Sequence, residues 1–251
     1  MTPANRLPAV VLLAALCGLA PPRALAGARR HGAAGRVLLD GQPTEVRWTD
    51  GDSFAVESGP LRGFGTRLTG YNALEAFGPV HRIGAMGPVA LQAIATSTAT
   101  LLAGSVWNCA TKGKRDGYGR PLVACPDAAA AVVRAGHAMV YAIEVRPDPA
   151  LLALQREAQS AKRGIWAGGV PPEIVTSLHS AGEKDLRGKP PHDRLVDTAT
   201  GRTRRRRHRT RYRTCQEVCI GDGPARSCMV YVPFERRYRD RPACLGSAAG
   251  R

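Results

Sequence analysis

The sequence predicts an α+β fold, mainly β, on three observations. Residues 36 to 70 alternate apolar and polar side chains between turn dipeptides, helical stretches come only after them, and near residue 180 charge and cysteine replace core-forming residues. Strands first, with helices packed later on one side, is the order of an α+β domain and not of an alternating α/β sheet.

The elements follow in chain order. Residues 1–26 read as a secretory signal: Arg6, an apolar run from Ala9 to Ala20, a proline break, then Ala24-Leu25-Ala26 as a cleavage site. The run is too short to span a bilayer. Cys17 invites lipid attachment, but Leu16 stands where such signals want a small residue. Val37-Leu38-Leu39, Val46-Arg47-Trp48 and Phe54-Ala55-Val56, separated by Asp40-Gly41 and Asp50-Gly51, read as short antiparallel strands joined by hairpins. Helices are expected over Pro88–Leu102, Ala128–Ala135 (closed by Gly136) and Pro149–Arg163 (closed by Gly164). Val106–Ala110 and Leu122–Cys125 flank a turn-rich loop, Lys112–Gly119, and should pair as a hairpin. Residues 27–180 therefore form the expected main domain.

Residues 181–214 read as a basic flexible linker or arm. Arg202–Arg213 holds eight arginines, one histidine, one tyrosine and no acid, a run that repels itself. Residues 215–251, with four cysteines, read as a small disulfide-stapled module. Without the signal six cysteines remain, an even set that implies disulfides in an exported chain. Cys109 and Cys125, on the strands flanking the Lys112–Gly119 loop, should clamp its base. Cys215, Cys219, Cys228 and Cys244 allow three connectivities, and a zinc cluster is the alternative, though export and the lack of a paired two-residue spacing count against it. The formal charge of +16 falls by two when the signal is removed and favours polyanionic partners. No later stretch has the apolar length of a membrane helix, so a secreted or periplasmic monomer is expected.

Three clusters carry chemistry: Asp50-Gly51-Asp52-Ser53, Arg67-Leu68-Thr69-Gly70-Tyr71-Asn72-Ala73-Leu74-Glu75, and Asp116-Gly117-Tyr118-Gly119-Arg120. Each alone is an ordinary turn or strand. Together they offer what phosphodiester cleavage needs: cations for the phosphoryl oxygens, a carboxylate to orient or deprotonate water, and hard oxygen ligands. His81, His137 and His208 are assigned ordinary surface or packing roles.

With Arg163-Gly164-Ile165-Trp166 behind them, these motifs in this order resemble the staphylococcal nuclease (thermonuclease) family over about residues 44 to 168, roughly half the chain. The resemblance implies a five-stranded OB-type barrel with three helices and calcium-dependent hydrolysis of DNA and RNA. It also implies residue roles: Asp52 as carboxylate calcium ligand, Ala73 as main-chain calcium ligand, Arg67 and Arg120 on the scissile phosphate, Glu75 on the attacking water and Tyr118 toward the substrate. One position departs from the family. Asn72 stands where a second metal-binding aspartate is usual, and Leu74 replaces a proline. Asparagine can give calcium a carbonyl oxygen but no charge, which weakens the site.

Several readings remain open on the sequence. A weak-calcium nuclease, a nuclease of altered metal preference and a nucleic-acid binder without turnover all fit Asn72, and an envelope protein with a relic nuclease fold fits the tail. Glu75 favours catalysis, since binding alone would not require it. DNA against RNA preference and endo against exo cleavage are not written in the sequence.

Overall fold

The computed structural model describes residues 32–183, 186 and 188–246. The expected signal segment, with Cys17, lies outside the described residues. Fourteen strands and three α-helices are present among the described residues, and the architecture is mainly β, as expected.

Strands β1 (Ala33–Leu39) and β2 (Gln42–Asp50) form a hairpin closed by Asp40 and Gly41, both at positive φ (51° and 79°), the requirement of a tight two-residue turn. The alternation is visible in burial: Val37, Leu39, Thr44, Val46 and Trp48 point inward. Strand β3 (Ser53–Val56) pairs with β2, β7 (Val106–Arg115) pairs with β1, and β8 (Pro121–Ala124) bridges β7 to β4 (Arg67–Leu68). The result is a six-stranded sheet in the order β3-β2-β1-β7-β8-β4. The β7–β8 hairpin matches the sequence expectation, but β1–β7 and β4–β8 are parallel.

The expected five-stranded barrel needs correction, because no sheet closes into one. The outer edges of the six-stranded sheet meet instead through separate backbone bonds, Thr66 N to Phe54 O (2.8 Å) and Leu68 N to Asp52 O (2.9 Å). Strand β4 is only two residues long, too short for a ladder. Two residues on, β5 (Gly70–Ala73) leaves this sheet to pair with β9 (Ala138–Tyr141).

The helices α1 (Pro88–Ala103), α2 (Pro126–Arg134) and α3 (Pro149–Ser160) each begin at a proline, whose missing N–H costs nothing in a first turn. The Asp148 carboxylate caps α3 by accepting from the N–H groups of Ala150 and Leu151. Gly136 and Gly164 lock the ends of α2 and α3 together. Both have positive φ, and a Cβ on Gly164 would come within 2.1 Å of the Gly136 oxygen. Val37, Val46, Trp48, Phe54, Leu68, Val123 and Val132 lie in the largest core cluster, between sheet and helices.

The tail departs most from the sequence reading. Residues expected to form a flexible arm contain β11 (His192–Asp197) and β12 (Thr203–Arg207), which with β10 (Glu173–His179) build an antiparallel sheet. The arginine run is ordered because acids meet it: Glu173 binds Arg204, Glu144 pairs with Arg205, and Asp193 takes Arg206 at 2.7 Å. Asp193 is fully buried and also accepts from the Tyr212 hydroxyl at 2.9 Å. Beyond it, β13 (Glu217–Ile220) and β14 (Ser227–Val230) form a hairpin, and β14 pairs with β6 (His81–Ile83), which precedes the first helix. Phe77 and Val80 share one core cluster with Val175, Leu195, Met229 and Leu245. The terminal segment is thus built onto the main body.

The disulfides are Cys109–Cys125, as expected, with Cys215–Cys244 and Cys219–Cys228. Their sulfurs are paired, so the zinc alternative is overturned.

Removing one partner of a buried ion pair leaves an uncompensated charge, so Asp193→Ala is expected to cost about 3–5 kcal/mol. Urea unfolding checks this; a loss below about 1 kcal/mol would show that the arginines of β12 hold their place without it.

Candidate functional site

The turn between β2 and β3 is set by Gly51, which lies against β5 and α1. A Cβ there would sit 2.5 Å from the Ala73 Cβ and 2.6 Å from the Thr98 Cγ2. This close packing buries Asp52, which is 2 % exposed. Its Oδ1 accepts from Arg67 Nη1 at 2.6 Å and Ser53 Oγ at 3.0 Å, and its Oδ2 accepts from the Ala73 N–H at 2.8 Å. The other arm of the Arg67 fork, Nη2, donates to Asn72 Oδ1 at 2.6 Å, and Asn72 Nδ2 donates to the Ala73 carbonyl at 2.7 Å. Asp52, Arg67, Asn72 and Ala73 are therefore one hydrogen-bonded unit. Burial opposes the Arg67 charge, but Asp52, then Tyr141, Asp50 and Glu75, hold the guanidinium more firmly protonated than usual.

Two further carboxylates share this field. Burial, then the charges of Asp52 and Glu75, push Asp50 well above the ordinary carboxylate range. Burial also raises Glu75; Arg237, Arg67 and Arg120 pull it back, while Asp52 adds to the rise. Asp50, Arg67, Asn72, Glu75, Tyr118 and Arg120 face one cleft. Tyr118 and Arg120 reach it from the β7–β8 loop, where Asp116 organises both. Its Oδ1 accepts from the Tyr118 N–H (2.8 Å) and the Arg120 N–H (3.0 Å), and its Oδ2 takes Arg120 Nε at 2.7 Å. The structure thus brings Asp52, Arg67, Asn72, Ala73 and Glu75 together on one wall, and sets Tyr118 and Arg120 on the loop opposite.

The donor set fits a hard divalent cation. Burial first, and then the charges of Asp52 and Glu75, disfavour the ionised form of Asp50, and a bound cation would offset both effects. Asn72 Oδ1 and the Ala73 carbonyl each accept one hydrogen bond and keep a second lone pair.

Sequence reasoning misses four residues of this neighbourhood. Asp50 is read only as part of its turn motif, although the motif itself is the signal that finds it. His81, given an ordinary role, is 4 % exposed on β6, and its Nε2 accepts from the Glu75 N–H at 3.2 Å. Arg237 and Tyr238 reach the cleft from the terminal segment and carry no local signature. Burial first, then the charges of Glu75 and Asp50, push the Tyr238 hydroxyl upward, and all three line the cleft.

Fold and site together define a mainly β protein with carboxylates and guanidiniums facing across a single cleft. Residues 81–168, about a third of the chain, match the family model described as staphylococcal nuclease homologue. That segment is similar to the staphylococcal nuclease homologue family, and the match supports a nuclease-like fold there. The matched segment includes Tyr118 and Arg120, whereas Asp52 through Glu75 precede it and stand on their geometry. No curated protein matches the chain.

Burial lowers the His81 imidazole from 6.5 to about 4. The unfolded chain therefore binds a proton here that the folded chain refuses. The stabilisation is complete above pH 6.5 and is lost as pH falls from 6.5 toward 4, by roughly 3 kcal/mol in all. Urea titrations across that window should show this slope, and His81→Gln, which keeps an acceptor for Glu75, should flatten it. An unchanged slope in the variant would assign the acid sensitivity elsewhere.

Proposed function

We propose that the chain is an exported, calcium-dependent phosphodiesterase that hydrolyses DNA, RNA or both with little sequence specificity. The observation that carries this reading is the gathering of Glu75 and Asp50 with Arg67 and Arg120 at one cleft, with Asp52 buried behind Arg67. Guanidiniums grip a phosphate through parallel hydrogen bonds, and a half-buried carboxylate with a raised pKa is a competent base near neutral pH. The family is typically calcium-dependent. Asp50 and Asp52, with Asn72 and the Ala73 carbonyl, would hold the ion, whose charge would offset that of the phosphoryl oxygens.

In this reading Arg67 and Arg120 bind the phosphoryl oxygens of the scissile group, and Tyr118 lines the entry of the strand. Glu75 accepts a proton from a water molecule as the water oxygen bonds to phosphorus. The ester P–O bond breaks on the opposite side, and its oxygen takes a proton from solvent. The His81 ring, bonded to the Glu75 N–H, holds the base in position. Recognition through phosphates carries no base information, hence the low specificity. Export is supported by the N-terminal sequence and by three disulfides. None of the described helices is long and apolar enough to cross a membrane.

Binding without turnover is the second reading, and one observation favours it. Both Nη groups of Arg67 and the Nε of Arg120 already bond to protein acceptors. Substrate would have to compete for them.

Hydrolysis of single-stranded DNA across a calcium series separates the two. Turnover should need calcium, disappear with chelator, and fall about 100- to 10,000-fold in Glu75→Gln while binding persists. Salt-sensitive binding with no turnover at any calcium concentration would replace the enzyme with the binder.

A further inference from the structure

The terminal segment places three side chains at the cleft that no catalytic role uses. A short 3-10 turn over Phe234–Arg236 leads into Arg237 and Tyr238, and Phe234, Arg237 and Tyr238 line the same cleft as Glu75. The Arg237 guanidinium lies between two rings, 5.0 Å from the centre of Phe77 and 5.5 Å from that of Phe234. Its Nε donates to the Val232 carbonyl at 3.2 Å, and among the described residues Arg237 has no ion pair. Its guanidinium is thus held by ring contacts and feels the charge of Glu75 across the cleft without closing an ion pair, unlike Arg67, Arg120, Arg204 and Arg206. Phe234 and Tyr238 are large aromatic side chains left 52 % and 46 % exposed. Exposed rings beside a cation offer a base a stacking face and its phosphate a charge partner.

The segment is firmly seated. Arg241 Nη2 donates to the Phe77 carbonyl at 2.6 Å and to the Leu245 carbonyl at 3.0 Å, and Cys215–Cys244 closes the segment on itself. Leu245 packs so close to Gly78 that a Cβ there would come within 2.7 Å of it. Phe77 and Gly78 lie two and three residues after Glu75, so the mount of the terminal segment is the chain that carries the proposed base.

We propose that Phe234, Arg237 and Tyr238 form a nucleotide subsite beside the scissile position. The Arg237 Nη groups bind the phosphate flanking the one to be cleaved, and the rings of Phe234 and Tyr238 stack its base. The ligand class is one nucleotide unit of a single-stranded polynucleotide. This rests on the nuclease reading for what happens at Glu75, but the subsite makes its own contacts and is tested by binding alone.

The probes are a fluorescent, cleavage-resistant phosphorothioate oligothymidylate and the same backbone with abasic positions, both read by fluorescence anisotropy on the intact disulfide-bonded chain. Arg237→Ala should weaken oligothymidylate binding about tenfold and reduce the salt slope of log K by about 0.7, the amount of one phosphate contact on a single strand. Phe234→Leu combined with Tyr238→Leu should weaken oligothymidylate binding by a similar factor and leave the abasic backbone unaffected. Arg237→Gln serves if the alanine variant does not fold. Affinity and salt slope unchanged in the arginine variants would overturn the subsite, and equal weakening of both probes by the ring substitutions would overturn the stacking. Absence of hydrolysis by the parent chain would sink the nuclease reading and leave these binding results standing.

Discussion

Asp52 is a carboxylate almost removed from water, and a buried charge persists only where it is hydrogen-bonded and neutralised. Here Arg67 neutralises it, Ser53 and the Ala73 N–H complete its bonds, and its own backbone oxygen accepts from Leu68. One residue thereby fixes the β2–β3 turn, the short β4 and the start of β5. The six-stranded sheet has no continuous seam where its edges meet, and this polar knot lies at that junction. Stability and the candidate chemistry are drawn from the same atoms. The bonds that hold Arg67 in place are the ones a phosphate would have to displace in the proposed reading.

A second theme is the management of positive charge. The formal excess of +16 would oppose folding if it were spread without order. Instead arginines in the tail are matched to acids on neighbouring strands, as Arg204 is to Glu173 and Arg206 to Asp193. Arg237 is stacked on rings without an ion pair and faces the cleft. Local neutralisation supports the fold, and Arg237, which closes no ion pair among the described residues, is the cation that the proposed subsite uses.

What the sequence makes legible follows from range. Asp52, Arg67, Asn72 and Glu75 lie within 24 residues, and the turn and strand that carry them are specified locally, so order and spacing are enough to find them. The same holds for the prolines that start the helices and for Cys109 with Cys125. The six-strand order is not legible, because the parallel β1–β7 and β4–β8 pairings join segments far apart in the chain. The arginine run misleads for a related reason: the acids that order it, Glu144, Glu173 and Asp193, all lie outside the run. His81 looks like a loop histidine until β14 covers β6, and its burial is then a consequence of residues more than a hundred positions later.

That last pairing sets a temporal order. Strand β6 can be covered only when residues 227–230 are present, and its neighbours Phe77 and Gly78 are capped only by Arg241 and Leu245. Contacts of such long sequence separation form late, since loop-closure entropy must be overcome first. Before those residues are in place, the six-stranded sheet and the bonds around Asp52 can form, but the wall that completes the cleft is missing. Completion of the cleft therefore waits on residues 227–245 and on the oxidation of Cys215 with Cys244.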